Sequence, residues 1–225
     1  MIYITGDRHA DLDDIIEFCK KKKTSTNDII VILGDSGINY FLNDYNHILK
    51  EKLSKINITY FCVHGSHEER CENLENYKIK QFHNGKVFYE EEFPNILFAK
   101  DAEVYTFNKH KVLVVGGSYS IDKIFRLNRG FVWFKDEQPS QKTKDKVMKS
   151  INKRNDIDTV FSHTCPYEFA PKEIFTDSIY YDKLDLSTEY FFDEVFKKIN
   201  CKLWCCGRFH MNMQVGKVKF FYKNI

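Results

Sequence analysis

Short apolar runs recur along the chain, and each of five such runs ends in a cluster rich in Gly, Asp, Ser or His. The runs cover residues 2–4, 28–33, 58–63, 159–161 and 203–206. Residues 12–19 and 48–56 carry apolar side chains at helical spacing after the first two runs, and residues 140–155 and 188–199 do so before the last two. Runs this short, alternating with helical patterns, predict buried strands connected by helices.

Between the two halves the pattern changes to short strand-like runs. They predict strands at Lys86–Tyr89, Ile96–Ala99, Glu103–Phe107 and Lys111–Val115. The last two are joined by a hairpin turn at residues 108–110, and residues 213–221 read as a closing hairpin around Gly216. The whole pattern predicts a layered α/β domain whose sheet is mixed or is paired with a second sheet.

Composition narrows the class of protein. The 225 residues contain four prolines, no repeat and no Pro/Gly/Ser-rich linker, so we expect one domain over residues 1–225. No apolar run approaches the roughly 18 residues of a membrane span, and the N-terminus lacks the features of a signal peptide, so we expect a cytoplasmic protein. A net charge of +2 does not favour polyanions in general, although it leaves a nucleotide or nucleic-acid ligand open.

The seven cysteines are an odd number, and none of them forms a C-x-x-C pair. Several lie inside apolar runs, which predicts reduced thiols in the core. A structural zinc site at Cys201 and Cys205 is the alternative, but it lacks a second pair of ligands.

A set of acidic and imidazole side chains shares one property: each follows an apolar run by a few residues. The set is Asp7, His9, Asp35, His67, His163 and His210. In layered α/β folds ligands gather beyond the carboxyl ends of the strands, so these side chains are expected to converge. Carboxylates mixed with imidazoles bind Mn, Fe or Zn, and an Asp can bridge two such ions. The alternative reading is that they are ordinary turn and cap residues.

The ordered blocks resemble those of the calcineurin-like metallophosphoesterases, whose pattern is GDxH, GD, GNH[DE], a lone His and GHxH. Here the blocks are Gly6-Asp7-Arg8-His9, Gly34-Asp35, Gly65-Ser66-His67-Glu68, His163 and Gly207-Arg208-Phe209-His210. The resemblance implies a four-layer α/β/β/α sandwich with two mixed sheets. It also implies metal-dependent hydrolysis of a phosphomonoester or phosphodiester.

Carried over to this sequence, the resemblance assigns a role to each block. One divalent transition metal would be held by Asp7, His9, Asp35 and His210. A second metal would be held by His163 and the residues at positions 66 and 208. Asp35 would bridge the two ions. His67 would contact the phosphoryl group or protonate the leaving oxygen, oriented by Glu68 or another acid.

Two positions depart from the family pattern, and both belong to the second metal. Ser66 replaces Asn and offers a shorter oxygen ligand, while Arg208 replaces His and has no lone pair to donate. The first metal is therefore expected to have its full ligand set. The second is expected to lack part of its ligand set.

Three interpretations of Arg208 stay open. It could bind a phosphate oxygen in a one-metal enzyme, it could turn away from a weak second ion, or catalysis could be lost in a protein that only binds or regulates. The first two keep the chain an enzyme with His67 as a catalytic residue, and in the first of them Arg208 is catalytic as well. Arg126, in a segment rich in aromatic residues, is a further candidate for substrate binding. The oligomeric state and the substrate are not predicted.

Overall fold

The computed structural model describes residues 1–173 and 183–225, and two six-stranded sheets form its centre. The strands of the first sheet are β1 (Ile2–Thr5), β2 (Ile29–Leu33), β3 (Thr59–Val63), β4 (Lys78–Phe82), β5 (Gly85–Tyr89) and β6 (Ile96–Ala99). Those of the second sheet are β7 (Val104–Phe107), β8 (His110–Val115), β9 (Thr159–Ser162), β10 (Leu203–Cys206), β11 (Met213–Val215) and β12 (Val218–Phe220). The spatial orders are β1-β2-β3-β6-β5-β4 and β11-β12-β10-β9-β8-β7.

Helices connect the strands on the outer faces. They are α1 (Asp13–Lys22), α2 (Asp44–Ser54), α3 (Lys123–Arg129), α4 (Gln141–Ile151) and α5 (Ser187–Lys198), with short 3-10 turns at Cys71–Asn73 and Tyr167–Phe169. Two of the helices begin at side-chain caps, because Asn43 accepts the N–H of Tyr45 before α2 and Ser140 accepts the N–H of Thr143 before α4. Such caps stabilise a helix start by about 1 kcal/mol.

Both sheets are mixed. Strands β1, β2, β3 and β6 run parallel, and the hairpin strands β5 and β4 extend them in antiparallel pairing. In the second sheet β8, β9, β10 and β12 run parallel, with β7 and β11 antiparallel at the two edges. Every residue of β2 is buried, as expected for a parallel strand covered on both faces.

The core has three apolar layers. One lies between the first sheet and helices α1 and α2, one between the two sheets, and one between the second sheet and helices α4 and α5. Buried pairs that represent these layers are Ile15 with Ile30, Phe61 with Tyr105, and Phe192 with Trp204. The predicted four-layer α/β/β/α sandwich with two mixed sheets is therefore confirmed.

Some elements differ from the sequence prediction. The hydrophobic pattern does not predict β4, because it is an edge strand with two lysines and no buried residue. Nor does it predict the short α3, which also buries none of its residues. Ile48 has the spacing of a core residue but is 58% exposed on α2. All seven cysteines are buried and unpaired, and the hairpins at residues 108–110 and around Gly216 form as predicted.

Within residues 1–173 and 183–225, no helix combines the length and the apolar character that a membrane span requires.

One buried hydroxyl ties the two sheets together. The Tyr105 hydroxyl on β7 donates to the carbonyl of Lys86 on β5 at 2.6 Å and accepts the N–H of Lys100, just beyond β6, at 2.9 Å. Removing the hydroxyl takes this partner from two part-buried backbone groups, which keep the hydrogen bond from the Lys100 N–H to the Lys86 carbonyl at 3.2 Å. We predict that Tyr105→Phe lowers the free energy of unfolding by about 0.5–1.5 kcal/mol in urea titrations. Tyr45→Phe, at an exposed position, should change it by less than about 0.5 kcal/mol.

Candidate metal centre and active site

The carboxyl ends of five parallel strands from both sheets meet at one edge of the sandwich. The side chains that follow them are Asp7 and His9 after β1, Asp35 after β2, Ser66 and His67 after β3, His163 after β9, and Arg208 and His210 after β10. The structure thus brings together all the predicted metal ligands. Except for the fully buried His163, they line one cavity of about 230 Å³, with Arg208 and His67 in its wall.

Backbone N–H groups hold the two buried carboxylates. Oδ1 of Asp7 accepts the N–H of Arg208 at 2.7 Å, and Oδ1 of Asp35 accepts the N–H groups of Ser66 at 2.6 Å and His67 at 2.8 Å. The other oxygen of each carboxylate, Oδ2, faces the imidazoles. Each aspartate is therefore fixed in orientation by one oxygen and offers the other as a ligand.

Two imidazole nitrogens face the same point beside Asp7. Nε2 of His9 and Nε2 of His210 lie 3.3 Å apart, and Nε2 of His210 is 3.2 Å from Oδ2 of Asp7. Donor atoms of these three residues lie within 4.8 Å of one another. Oδ2 of Asp35 is 4.0 Å from Nε2 of His9, so the fourth predicted ligand adjoins the group.

A second group of donors consists of Asp7, Asp35 and His163. Nδ1–H of His163 donates to the carbonyl of Leu33 at 3.0 Å, which leaves Nε2 as the ligand atom, 3.5 Å from Oδ2 of Asp35 and 3.4 Å from Oγ of Ser66. Gly34 is needed here, because it has a φ of +90° and a Cβ at that position would lie 2.1 Å from Nδ1 of His163.

Four residues of the site adopt left-handed backbone conformations. They are His9, Asp35, Arg208 and His210, with φ between +46° and +62°. Non-glycine residues in this region store strain, on the order of 1–3 kcal/mol each. These backbone conformations direct the side chains of the blocks toward the same cavity. Strained backbone of this kind is common at functional sites.

Opposite charges dominate the electrostatics of the centre in the absence of an ion. Burial favours the neutral carboxyl of Asp35, but the imidazolium charges of His163 and His67 outweigh burial and hold its pKa well below the usual range. Burial likewise favours neutral His163, yet the charges of Asp35 and Asp7 raise its pKa to about 9. The buried carboxylates thus require positive charge nearby.

Arg208 occupies the position where the family pattern has a histidine. Its guanidinium donates through Nη1 to Oγ of Ser118, and Nη2 lies 3.9 Å from Oε1 of Glu189 on α5. Glu189 is fully buried and also accepts the hydroxyl of Thr164 at 2.8 Å. The arginine charge is therefore partly balanced by a carboxylate that the sequence pattern does not single out.

His67 is oriented by a residue far away in the sequence. Its Nε2–H donates to Oδ1 of Asp122 at 3.2 Å, while Nδ1 lies 3.1 Å from Oδ2 of Asp35. Glu68, the neighbour considered for this role, instead accepts the N–H of Gly65 and the hydroxyl of Ser36. Burial lowers the pKa of His67, but Asp35 and Asp122 reverse the effect and raise it to about 10.

Asp122 is absent from the predicted site residues although a signal for it exists. It follows β8, which is parallel to β9, and the Gly116–Ser120 cluster after β8 is a further strand-end cluster at the same edge. Glu189 has no comparable signal, since it lies within a helix and is brought to Arg208 only by the packing of α5.

Arg126 lies beside the cavity rather than in it. It pairs with Asp122 at 3.0 Å and donates from Nη1 to the hydroxyl of Tyr40 and the carbonyl of Val132. It lines a neighbouring space of about 220 Å³, together with His9, His67 and Tyr40 among others. Its proposed contact with substrate stays a prediction.

The contact between His67 and Asp122 predicts a pH effect in metal-free protein. A histidine whose pKa is raised on folding stabilises the folded state fully below pH 6.5, and the contribution is lost as pH rises toward the folded pKa, about 10 for His67. Asp122→Asn removes one of the charges that cause the shift. In EDTA-treated protein, the loss of unfolding free energy from pH 7 to pH 9 should therefore be smaller in the variant, by on the order of 1 kcal/mol.

Urea unfolding at the two pH values measures this difference, and NMR titration of the imidazole should show a lower pKa for His67 in Asp122→Asn. Asp156→Asn, which changes an exposed acid, should keep the wild-type pH dependence. Identical pH dependence in all three proteins would contradict the assigned contact.

Comparisons with known proteins bear on the same residues. A comparison with curated protein sequences finds no match. Among solved structures, the chain is similar to a phosphopantetheinyl hydrolase from Mycobacterium tuberculosis, with 9% identity, a TM-score of 0.42, and coverage of 98% of this chain and 88% of the other. The family described as calcineurin-like phosphoesterase matches residues 1–210, a span that contains every block of the site. By its sequence and by the sandwich that carries these blocks, the chain belongs to the calcineurin-like phosphoesterase family.

Proposed function

We propose that this chain is a metal-dependent phosphoesterase that hydrolyses a phosphomonoester or phosphodiester, with one fully formed metal site and one weakened site. The observation that carries the proposal is the convergence of Asp7, His9 and His210, whose donor atoms all lie within 4.8 Å, next to Asp35. Family membership supports the same reaction class.

The residues present fit a divalent transition metal. Two carboxylates and two imidazoles form a mixed oxygen and nitrogen donor set, which suits Mn, Fe or Zn. The two aspartates are already oriented by backbone N–H groups, so little reorganisation is needed to present Oδ2. An ion held by Asp7, His9, Asp35 and His210 would supply Lewis acidity and an activated water.

The second site retains Asp35, His163 and Ser66. Nε2 of His163 faces both Oδ2 of Asp35 and Oγ of Ser66, so three neutral or anionic donors remain. Arg208 adds positive charge at this place instead of a ligand. In the proposed mechanism that charge stabilises phosphoryl oxygens, and Arg208 is an electrostatic substitute for part of a second ion.

His67 is proposed to act on the leaving group. It lies in the cavity wall and carries a proton at Nε2 that it shares with Oδ1 of Asp122. Asp122 holds the protonated ring with Nε2 in the cavity before the reaction, and a leaving oxygen that approaches Nε2 then takes this proton in place of Asp122. Asp122 is a positioning residue in this scheme, because it acts through His67.

A second candidate function is a binding or regulatory protein that keeps the fold. The observation in its favour is that Arg208 is engaged by Ser118 and faces Glu189, so its guanidinium is already partly satisfied without substrate. The two candidates differ in metal content and in hydrolysis, and one experiment separates them.

We predict that purified protein supplemented with Mn²⁺ binds one ion per chain and slowly hydrolyses aryl phosphate mono- or diesters. The double variant Ser66→Asn, Arg208→His restores the missing donors, so it should bind two ions and hydrolyse the same esters roughly 10²- to 10⁴-fold faster. Metal analysis by mass spectrometry and a panel of phosphomonoesters and phosphodiesters provide the measurements.

Two control variants define the outcome. Arg129→His makes the same chemical change at an exposed position and should leave both metal content and rate unchanged. Asp7→Asn should abolish metal binding and hydrolysis. If the wild-type protein is inactive on the whole panel while the double variant is active, the result contradicts the proposed phosphoesterase and favours the binding or regulatory function.

A further inference from the structure

A groove extends from the candidate metal centre across the surface between the loop after β1 and helix α2. It has a volume of about 470 Å³ and begins at His9, a ligand of the first metal group. Phe41, Tyr45 and Ile48 line it on the α2 side, and Ala10, Asp11 and Asp13 line it on the opposite side. We refer to this space as the aromatic groove.

The aromatic groove adjoins the space beside His67. Phe41 lines both the groove and the neighbouring space of about 220 Å³ that contains His9, His67 and Tyr40. His9 and Phe41 border both spaces, so Phe41 lies between the side of the proposed proton donor and that of Tyr45. A leaving group that takes its proton from His67 would extend in this direction.

The aromatic side chains present ring surface to the groove. Phe41 is 40% exposed and Tyr45 is 49% exposed, values that are high for such large apolar side chains. Their centroids are 4.7 Å apart in an edge-to-face arrangement, and Tyr40 packs against Phe41 in the same way at 4.9 Å. The edge-to-face packing of these rings leaves ring surface that another aromatic group can contact.

Backbone strain occurs on both walls of the groove. His9 and Ala10 have φ values of +47° and +67°, and Leu42, next to Phe41, has a φ of +53°. Gly37 permits the backbone of Ala10 to lie close to it, because a Cβ at position 37 would lie 2.2 Å from the N atom of Ala10. Strain of this kind persists where surrounding structure enforces it, and it frequently marks ligand contacts.

The charges along the groove argue against a polyanionic occupant. Among the described residues that line it, Asp11, Asp13 and Lys52 carry charge apart from His9, and Asp13 pairs with Lys52 while Asp11 pairs with Lys223. Arg126, the nearest cation in the adjoining space, pairs with Asp122. A second phosphate or a nucleic-acid backbone would find two carboxylates here and no free cation among these residues.

We infer that the aromatic groove binds the leaving-group portion of the substrate and that this portion is an uncharged aromatic group, attached to the single phosphate at the metal centre. The inference rests on the proposed phosphoesterase function and names its substrate class. Phe41 and Tyr45 are specificity residues in this assignment, and contact with them strengthens binding without taking part in bond breaking.

Non-hydrolysable phosphonates test the assignment without requiring catalysis. Binding of 2-phenylethylphosphonate and of ethylphosphonate to the Mn²⁺-loaded protein is measured by calorimetry. The two ligands carry the same charge and differ only in the ring. The aromatic ligand should bind roughly three- to tenfold more tightly, as expected for one aromatic contact.

Variants then locate the contact. Phe41→Ala and Tyr45→Ala should each reduce the preference for the aromatic ligand and leave the affinity for ethylphosphonate unchanged. Ile79→Ala, which removes an exposed apolar side chain from the edge strand β4, should keep the full preference. With the corresponding phosphate esters, the two groove variants should raise KM for the aromatic ester and leave kcat unchanged.

The outcomes separate the inference from the function on which it rests. Equal affinity for the two phosphonates, or a preference that survives both alanine variants, would overturn the aromatic groove while leaving the phosphate site intact. Binding of neither phosphonate would overturn the groove assignment and the proposed phosphoesterase site together.

Discussion

The arrangement of the site depends on two buried aspartates that each use one oxygen to accept backbone N–H groups. Asp7 follows a strand of the first sheet and accepts the N–H of Arg208, which follows a strand of the second. Asp35 accepts two N–H groups from the block after β3. These hydrogen bonds join the loops of both sheets and leave Oδ2 of each carboxylate facing the imidazoles. Without them, the donors would have no common orientation.

The same constraint explains the charge balance. Two carboxylates in a buried place repel each other and are costly to desolvate, so they need positive charge. In the protein alone, imidazolium at His67 and His163 provides it, with a raised pKa at both residues. A divalent ion at this place would satisfy the same requirement, which is why a cluster of this composition favours metal binding.

Replacement of a histidine by Arg208 leaves this framework intact, because the backbone N–H of residue 208 binds Asp7 whatever the side chain is. The side chain is accommodated by two groups from elsewhere in the second sheet's layer, Ser118 and Glu189. The change therefore acts on the chemistry of the second site and not on the architecture. The aromatic groove, on the far side of His9, lies apart from it.

Periodicity and strand-end chemistry are local properties, so the amino-acid sequence alone is enough to predict the buried strands, the helices between them and the blocks at the strand ends. It does not predict the edge strand β4 or the short helix α3. The same local pattern picks out the candidate metal ligands Asp7, His9, Asp35, His163 and His210, together with His67. It does not predict the partner of His67 or that of Arg208. Asp122 lies 55 positions from His67, and their contact exists only because β8 and β3 are placed in facing sheets. Packing between distant segments decides these contacts, and it also decides that Phe41, Tyr45 and Ile48 line a groove instead of a core.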